Sequence, residues 1–415
     1  MRTSLREILF SLFVIAIPVV SFSQLSEWRG PGRSGIYNES RLLKQWPTGG
    51  PALVWEIAGL GDGYSSPTVT DDAIYVTGRK DDSDVLIALT KDGRKKWEIV
   101  YGKAWMQNHT GSRCTPTYYN GNLFLVSGSG DIVCVGEGGN IKWSKNHYRL
   151  YEGKPLMFGI SESPVVTGNM VIVSPGGKKA SMVALNIENG SVIWEAEPLN
   201  QDPQYINPKL IDYAGRKIIV NVMSRDIIAV NAADGKILWK YDYTAASNAN
   251  AGTRKNHAIT PLFSDGSLLI ANGYGWIALK LKLSADGTSV QKVWENRNFD
   301  PQLGGVVMAS NCLYGSNHQS SPAGSWICTD WTTGKNLWTA KWYSQGSVIM
   351  ADGMLYLFEE KSGHVGLVRP DPTKFDLISE FQVTKGDGPF WAHPVINDGK
   401  LLVRHGDYMA VYKIR

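Results

Sequence analysis

"AVNAADGKILWKYD", residues 229–242, decides the fold, because near-copies of it recur along the chain. The copies read "ALTKDGRKKW" from 88, "CVGEGGNIKW" from 134, "ALNIENGSVIW" from 184, "KLSADGTSVQKVW" from 282 and "CTDWTTGKNLW" from 328. Each copy ends on a tryptophan: Trp97, Trp143, Trp194, Trp239, Trp294 and Trp338, with Trp55 of "ALVWEIA" standing one period earlier. A second feature keeps step with them, a proline opening an apolar strand, at Pro67, Pro116, Pro164, Pro208, Pro261 and Pro394. Two anchors recurring together mark an internal repeat, which has to be settled before any domain boundary is drawn.

Inside one unit the pattern is strand, turn, strand, turn, strand, turn, strand: "SPTVTDD", "AIYVTG", "DVLIALT", "KKWEIV". Alternating apolar residues between Gly, Asn and Asp turns predict four antiparallel strands joined by hairpins. A period of about 45 residues holding four strands is the signature of a β-propeller blade. Seven units start near Tyr64, Arg113, Ser161, Tyr205, His257, Gly304 and Ser344, the seventh carrying "FDLISEFQV" in place of the tryptophan phrase. After it the chain supplies only three strands, and "ALVWEIA" at 52–58 is the missing fourth, completing a last blade with 388–415. The expected architecture is all-β, one eight-bladed propeller over 24–415 with its ring closed by the N-terminal strand, which leaves no open sheet edge at the seam.

Composition fits this reading. Of 415 residues, 43% are hydrophobic and 19% charged, enough apolar material for a core and too little charge for disorder. A net charge of +4, with no basic run longer than "GRKK" at 93–96, gives no footprint for nucleic acid, and none is expected as a partner. "MRTSLREILFSLFVIAIPVVSFSQ" places Arg2 and Arg6 before the apolar run Ile8 to Val20, the form of a signal peptide over 1–23 cleaved before Gln24. The alternative, an uncleaved anchor, has Pro18 inside a short run. The expected product is a periplasmic or secreted monomer with no transmembrane segment after cleavage. Cys114 and Cys134 read as first and third strands of one sheet, roughly 10 Å apart, hence core residues and not a disulfide. Cys312 and Cys328 fall on one hairpin, where a cross-strand bridge is left open.

The phrases "ALNIENGSVIW", "AVNAADGKILW" and "ALTKDGRKKW" closely resemble the tryptophan-docking phrase of the pyrroloquinoline quinone (PQQ) repeat, and "WRGPGRSG" at 28–35 looks like the entry segment of secreted PQQ-like propellers. That family includes quinoprotein alcohol and sugar dehydrogenases as well as non-enzymatic scaffolds such as the propeller subunit of the outer-membrane barrel-assembly machinery. The resemblance therefore implies the fold, and leaves function to the site.

A quinone site of this kind needs Ca²⁺ held by oxygen ligands, a base beside the substrate alcohol and a flat surface under the ring. By type and order, Glu162 and Asn207 resemble the family's metal ligands, His257 stands where a base is wanted, and Arg113 and Trp391 are candidates to hold a cofactor. Tyr64, His109, Asn256, Gln302, Gln345 and His393 complete the polar and aromatic residues expected at the channel mouth, and Trp105, Tyr274, Trp276 and Trp326 are further aromatics outside the repeat phrase. Three departures stand against PQQ and Ca²⁺. "RKNHAITP" has no Asp where the family's base is expected, no adjacent Cys-Cys pair occurs, and no "CxxCH" haem motif is present. His109 and Arg113 in "NHTGSRC" form a candidate anion clamp, or else a loop whose arginine pairs with a neighbouring carboxylate. The leading expectation is a binding scaffold for a protein partner or extended ligand at one rim; a PQQ dehydrogenase and a glycan-binding propeller are the alternatives.

Overall fold

A computed structural model describes residues 24–153, 156–249, 253–318 and 324–415; the expected signal peptide lies outside the described residues. The strands assemble into eight sheets, each built on four antiparallel strands, in chain order from the axis outward in all but the last. Blade one is typical: Thr68–Val69, Ile74–Lys80, Ser83–Leu89 and Lys95–Lys103. Blade eight joins Val395–Asn397, Lys400–His405 and Tyr408–Lys413 to the N-terminal Ala52–Ile57, as expected, with Ala52 opposite Lys413 and Ile57 opposite Met409. Among the described residues no helix is long and apolar enough to cross a membrane.

The repeated phrase has a mechanical meaning. In five blades its first residue is small and lies opposite the tryptophan on the next strand: Ala88 faces Trp97, Cys134 faces Trp143, Ala184 faces Trp194, Ala229 faces Trp239 and Cys328 faces Trp338, whereas Lys280 faces Trp294 and Val411 faces Trp55. Immediately after this pair the register slips by a β-bulge, in every blade. A bulge turns the strand locally, and the indole reaches across the blade boundary. Trp97 Nε1 donates to the Glu137 carbonyl at 3.0 Å, Trp143 to Ile187 at 2.9 Å and Trp194 to Ala232 at 3.0 Å, each in the outer turn of the following blade. Trp55 makes the same contact to Lys91 at 3.1 Å, so the N-terminal strand also locks blade eight onto blade one. Trp239 is the exception: its buried N–H has no partner, and Gly287 in the lengthened "SADGTS" turn of blade five faces Ile218 and Tyr213.

Blade seven lacks a docking tryptophan, and the N-terminal segment lays Trp46 against the blade there, its indole N–H without the cross-blade bond of Trp97, Trp143 and Trp194. Ser379 occupies the phrase position, opposite Leu367, and its hydroxyl accepts the Trp46 backbone N–H at 3.0 Å. The Trp46 ring, 3% exposed, packs edge-on against Phe381 with centroids 5.2 Å apart.

The same N-terminal segment fills the channel. Leu25 and Ser26 pair antiparallel with Tyr119 and Tyr118, at the far end of blade two's inner strand, and Ile36 and Tyr37 pair in parallel with Met350 and Ala351 of blade seven. The chain rises through the ring, turns over Pro31–Arg33 and descends. Two fully buried arginines fix it. Arg29 donates to the carbonyls of Gly304, Val306 and Val348 at 3.3, 3.1 and 2.9 Å, and Arg33 to those of Pro164 and Pro208 at 2.7 and 3.0 Å. Arg33 also pairs with Glu27 at 2.9 Å.

All four cysteines are buried free thiols. For Cys312 and Cys328 the register explains why: Cys312 lies opposite Asp330 and Cys328 opposite Tyr314. They are diagonal neighbours, a spacing of about 7–8 Å that a disulfide does not span.

Candidate functional site

Where the inner strands begin, the loops between blades converge on a solvent-open cavity of about 300 Å³. Its floor is Trp28, the top of the inserted segment, packed edge-to-face on His393 at 5.1 Å. His393 Nδ1 accepts from Arg29 at 2.8 Å and Nε2 donates to the Leu303 carbonyl at 3.0 Å, which fixes its tautomer. Burial, aided by the Arg29 charge, pushes its pKa far below the ordinary range, so the ring is neutral.

One wall is a belt of rings in successive contact. Tyr64 meets Trp391 at 5.0 Å, Trp391 meets His109 at 5.0 Å, His109 meets Phe158 at 5.7 Å and Phe158 meets Tyr205 at 5.7 Å. Arg113 lies over Tyr64 at 5.3 Å, and its guanidinium donates to the Gly111, Asn108 and His109 carbonyls of its own loop. Across the cavity Arg254 lies over Tyr274 at 5.6 Å. Asn207, Asn256, Gln302, Ser161 and Ser163 place amides and hydroxyls among the rings. Among the described residues no aspartate or glutamate lines the space.

The sequence candidates therefore divide. Tyr64, His109, Arg113, Asn207, Asn256, Gln302, Trp391 and His393 surround one cavity. Gln345 lies in an adjoining hollow, donating to Gln302 at 2.9 Å and to Glu360 at 2.8 Å. Glu162 and His257 go elsewhere. The Glu162 carboxyl turns into blade three, where the Ser174 N–H and hydroxyl donate to it at 3.0 and 3.1 Å, and burial raises its pKa to about 7. His257 is wholly buried, edge-on to Trp276 at 4.3 Å, with neither ring nitrogen hydrogen-bonded and its pKa lowered by burial to about 3. Asn207 uses its carbonyl oxygen to cap the Ser163 N–H at 2.5 Å. The donor set thus does not fit a Ca²⁺ cage beside a quinone: the one carboxyl among the candidates faces away, and among the described residues no three His, Cys, Asp or Glu side chains are grouped to hold an ion.

Of the extra aromatics, Tyr274 lines the cavity, whereas Trp105, Trp276 and Trp326 are buried between blades and do not reach the mouth. The Arg113 loop is held by its own carbonyls and not by a neighbour's carboxylate. Sequence reasoning missed Trp28, Phe158, Tyr205 and Arg254. For three of them the signal was position, just before an inner strand; Trp28 gave none, because only the threading of the segment brings it to the axis.

An eight-bladed PQQ-like propeller whose axis is plugged by its own N-terminal segment is thus the class of protein the chain forms. It belongs to the PQQ_2 family, described as outer membrane protein assembly factor BamB, whose family model matches residues 36–146 and 102–303. An uncharacterized protein of Rickettsia conorii is 26% identical over 61% of this chain and 57% of its own length. The outer membrane protein assembly factor BamB of Shewanella oneidensis is 23% identical over 60% of this chain and 62% of its own length. The chain thus spans less than two thirds of either relative. The crystal structure of BamB from Moraxella catarrhalis superposes with a TM-score of 0.62 over 88% of this chain and 99% of that one, at 14% identity, a likeness of fold.

Proposed function

We propose that this chain is an exported binding scaffold that holds a protein partner on the face where the inter-blade loops converge, in the manner of an assembly factor of the cell envelope. One observation carries the reading. That face gathers solvent-open aromatic and methionine side chains, while the carboxyl and the imidazole that a quinone site would need, Glu162 and His257, are buried inside blades. Met157 and Met106 are 62% and 47% exposed beside the aromatic belt, and the Asn108 side chain joins their loops by donating to the Met157 carbonyl at 3.3 Å. Exposed thioethers next to a rigid aromatic patch suit a partner surface, because methionine adapts its shape at little cost. Family membership supports a scaffold over an enzyme.

The test is photo-crosslinking in the native host, with a photoreactive residue at Met157 and, as the opposite-face control, at Leu43. A defined protein adduct from position 157 and none from position 43 is expected. Adducts only from the control would overturn the choice of face, and none from either would overturn the scaffold. Titration with PQQ, with and without Ca²⁺, followed by tryptophan fluorescence, addresses the dehydrogenase; saturable quenching that requires Ca²⁺ would replace the scaffold by it.

A further inference from the structure

We propose that the channel-mouth cavity binds an acidic sugar, a pyranose ring carrying a carboxylate, and does so independently of any protein partner. Charge is the first argument. Arg29 and Arg33 lie buried beneath the floor and Lys209 donates to the Gly32 carbonyl beside them, against the carboxylate of Glu27 and the buried Glu162 carboxyl, whose pKa burial raises to about 7. Above the floor Arg113 and Arg254 flank the space. The nearest acids do not offset them. Asp62 is taken by Arg79. Asp84 is buried, accepts the Gly128 N–H at 2.7 Å and has its pKa raised by burial to about 7. Glu360, in the adjoining hollow, accepts from Gln345 and Trp391, and burial raises its pKa. A cleft with low-dielectric walls and one sign of charge concentrates its field on the opening, and here that field draws an anion.

The lining narrows the class further. A sugar ring offers apolar C–H faces and hydroxyl edges in alternation. The cavity offers the flat rings of Trp391, Tyr64 and Trp28 interleaved with the Asn256 amide, the Asn207 side-chain N–H and the Ser161 hydroxyl, while Gln302 is held between Tyr274 and Gln345. An acidic peptide would use the arginines and leave the ring faces uncovered. About 300 Å³ is at the small end of ligand pockets, roughly 300–1,000 Å³, which suits one terminal unit of a glycan.

The experiment is calorimetric titration of the mature protein with the methyl glycosides of glucuronic, galacturonic and mannuronic acid, each beside the neutral hexoside that differs by the carboxylate alone. At least one acid is expected to bind saturably, with roughly tenfold preference over its neutral partner, the size of one charge-assisted contact. Arg254 is exposed, so Arg254→Ala should keep the wild-type melting temperature and abolish that preference, while Arg254→Lys keeps part of it. Trp391→Phe should weaken acid and neutral sugars together. Equal binding of acid and neutral sugars, or no saturable binding of any uronide, whether or not PQQ or a tetra-aspartate peptide binds instead, would overturn the proposal.

Discussion

The glycine and the tryptophan of the repeated phrase are two halves of one contact made by different blades. Gly235, in the outer turn of blade four, has φ +76°, and a Cβ there would stand 2.5 Å from Cε3 of Trp194, the tryptophan of blade three. Gly215 has the same backbone, φ +75°, but nothing within 4 Å. The pair separates conformation from packing. Gly215→Ala is expected to cost about 1–2 kcal/mol, the penalty of a left-handed L-residue. Gly235→Ala adds displacement of the indole and should cost about 2–4 kcal/mol. Denaturant unfolding of both variants measures the difference, and equal losses would mean that Trp194 does not rest on that turn. Much of this contact was legible in the sequence, since Gly and Trp recur at fixed separation. Their partnership across a blade boundary was not, because it joins residues about a blade apart that only closure of the ring brings together.

At the scale of the element, the inserted segment 24–37 has the least sequence signal and a large structural consequence. "WRGPGRSG" reads as an entry segment, yet nothing in its composition shows that Arg29 and Arg33 bond to backbone carbonyls of four different blades. Such acceptors have no sequence signature. The 3₁₀ turn and the two short pairings at its ends are too small to hold it in place by themselves, so the arginines are its anchors. Burial lowers the Arg29 pKa to about 10, leaving it charged at neutral pH. Arg29→Met removes the donor from three carbonyls and from His393, and should cost roughly 3–5 kcal/mol. Trypsin should then cut after Arg33 in otherwise folded protein, releasing a short N-terminal peptide detectable by mass spectrometry. If Arg33 stays protected and the melting temperature unchanged, the segment is held by something other than Arg29. Trp46 carries the same lesson, since blade seven's missing tryptophan was legible and the one laid against that blade by the N-terminal segment was not.

For the whole molecule, the blade count and the closing strand were readable because each repeat announces its own strands, whereas the direction of individual side chains at the mouth was not. Glu162 illustrates the limit: its position in the chain places it at the start of an inner strand, and its side chain turned inward. That orientation has a measurable effect on the stability of the ring as pH changes. The Glu162 and Asp84 carboxyls have folded pKa values near 7, above their ordinary values of 4.5 and 3.8. Their contribution to stability is complete below about pH 4 and is lost as pH rises towards 7, because the unfolded chain releases the proton first. His147 and His257, lowered by burial to about 4 and about 3 from 6.5, act in the opposite sense, contributing fully above 6.5 and losing that contribution as pH falls. The wild-type profile therefore mixes two opposed slopes. Glu162→Gln keeps an acceptor for the Ser174 N–H and removes one titration, so the difference between variant and wild type isolates it. The variant should gain melting temperature relative to wild type progressively from about pH 4.5 to about pH 7, and the gain should then level off. His257→Gln should show the complementary pattern, with its relative gain growing as pH drops from 6.5 towards 3. A Glu162→Gln profile parallel to wild type throughout would mean that this carboxylate is ionised and solvated in the folded ring, and would return Glu162 to the channel as a candidate ligand.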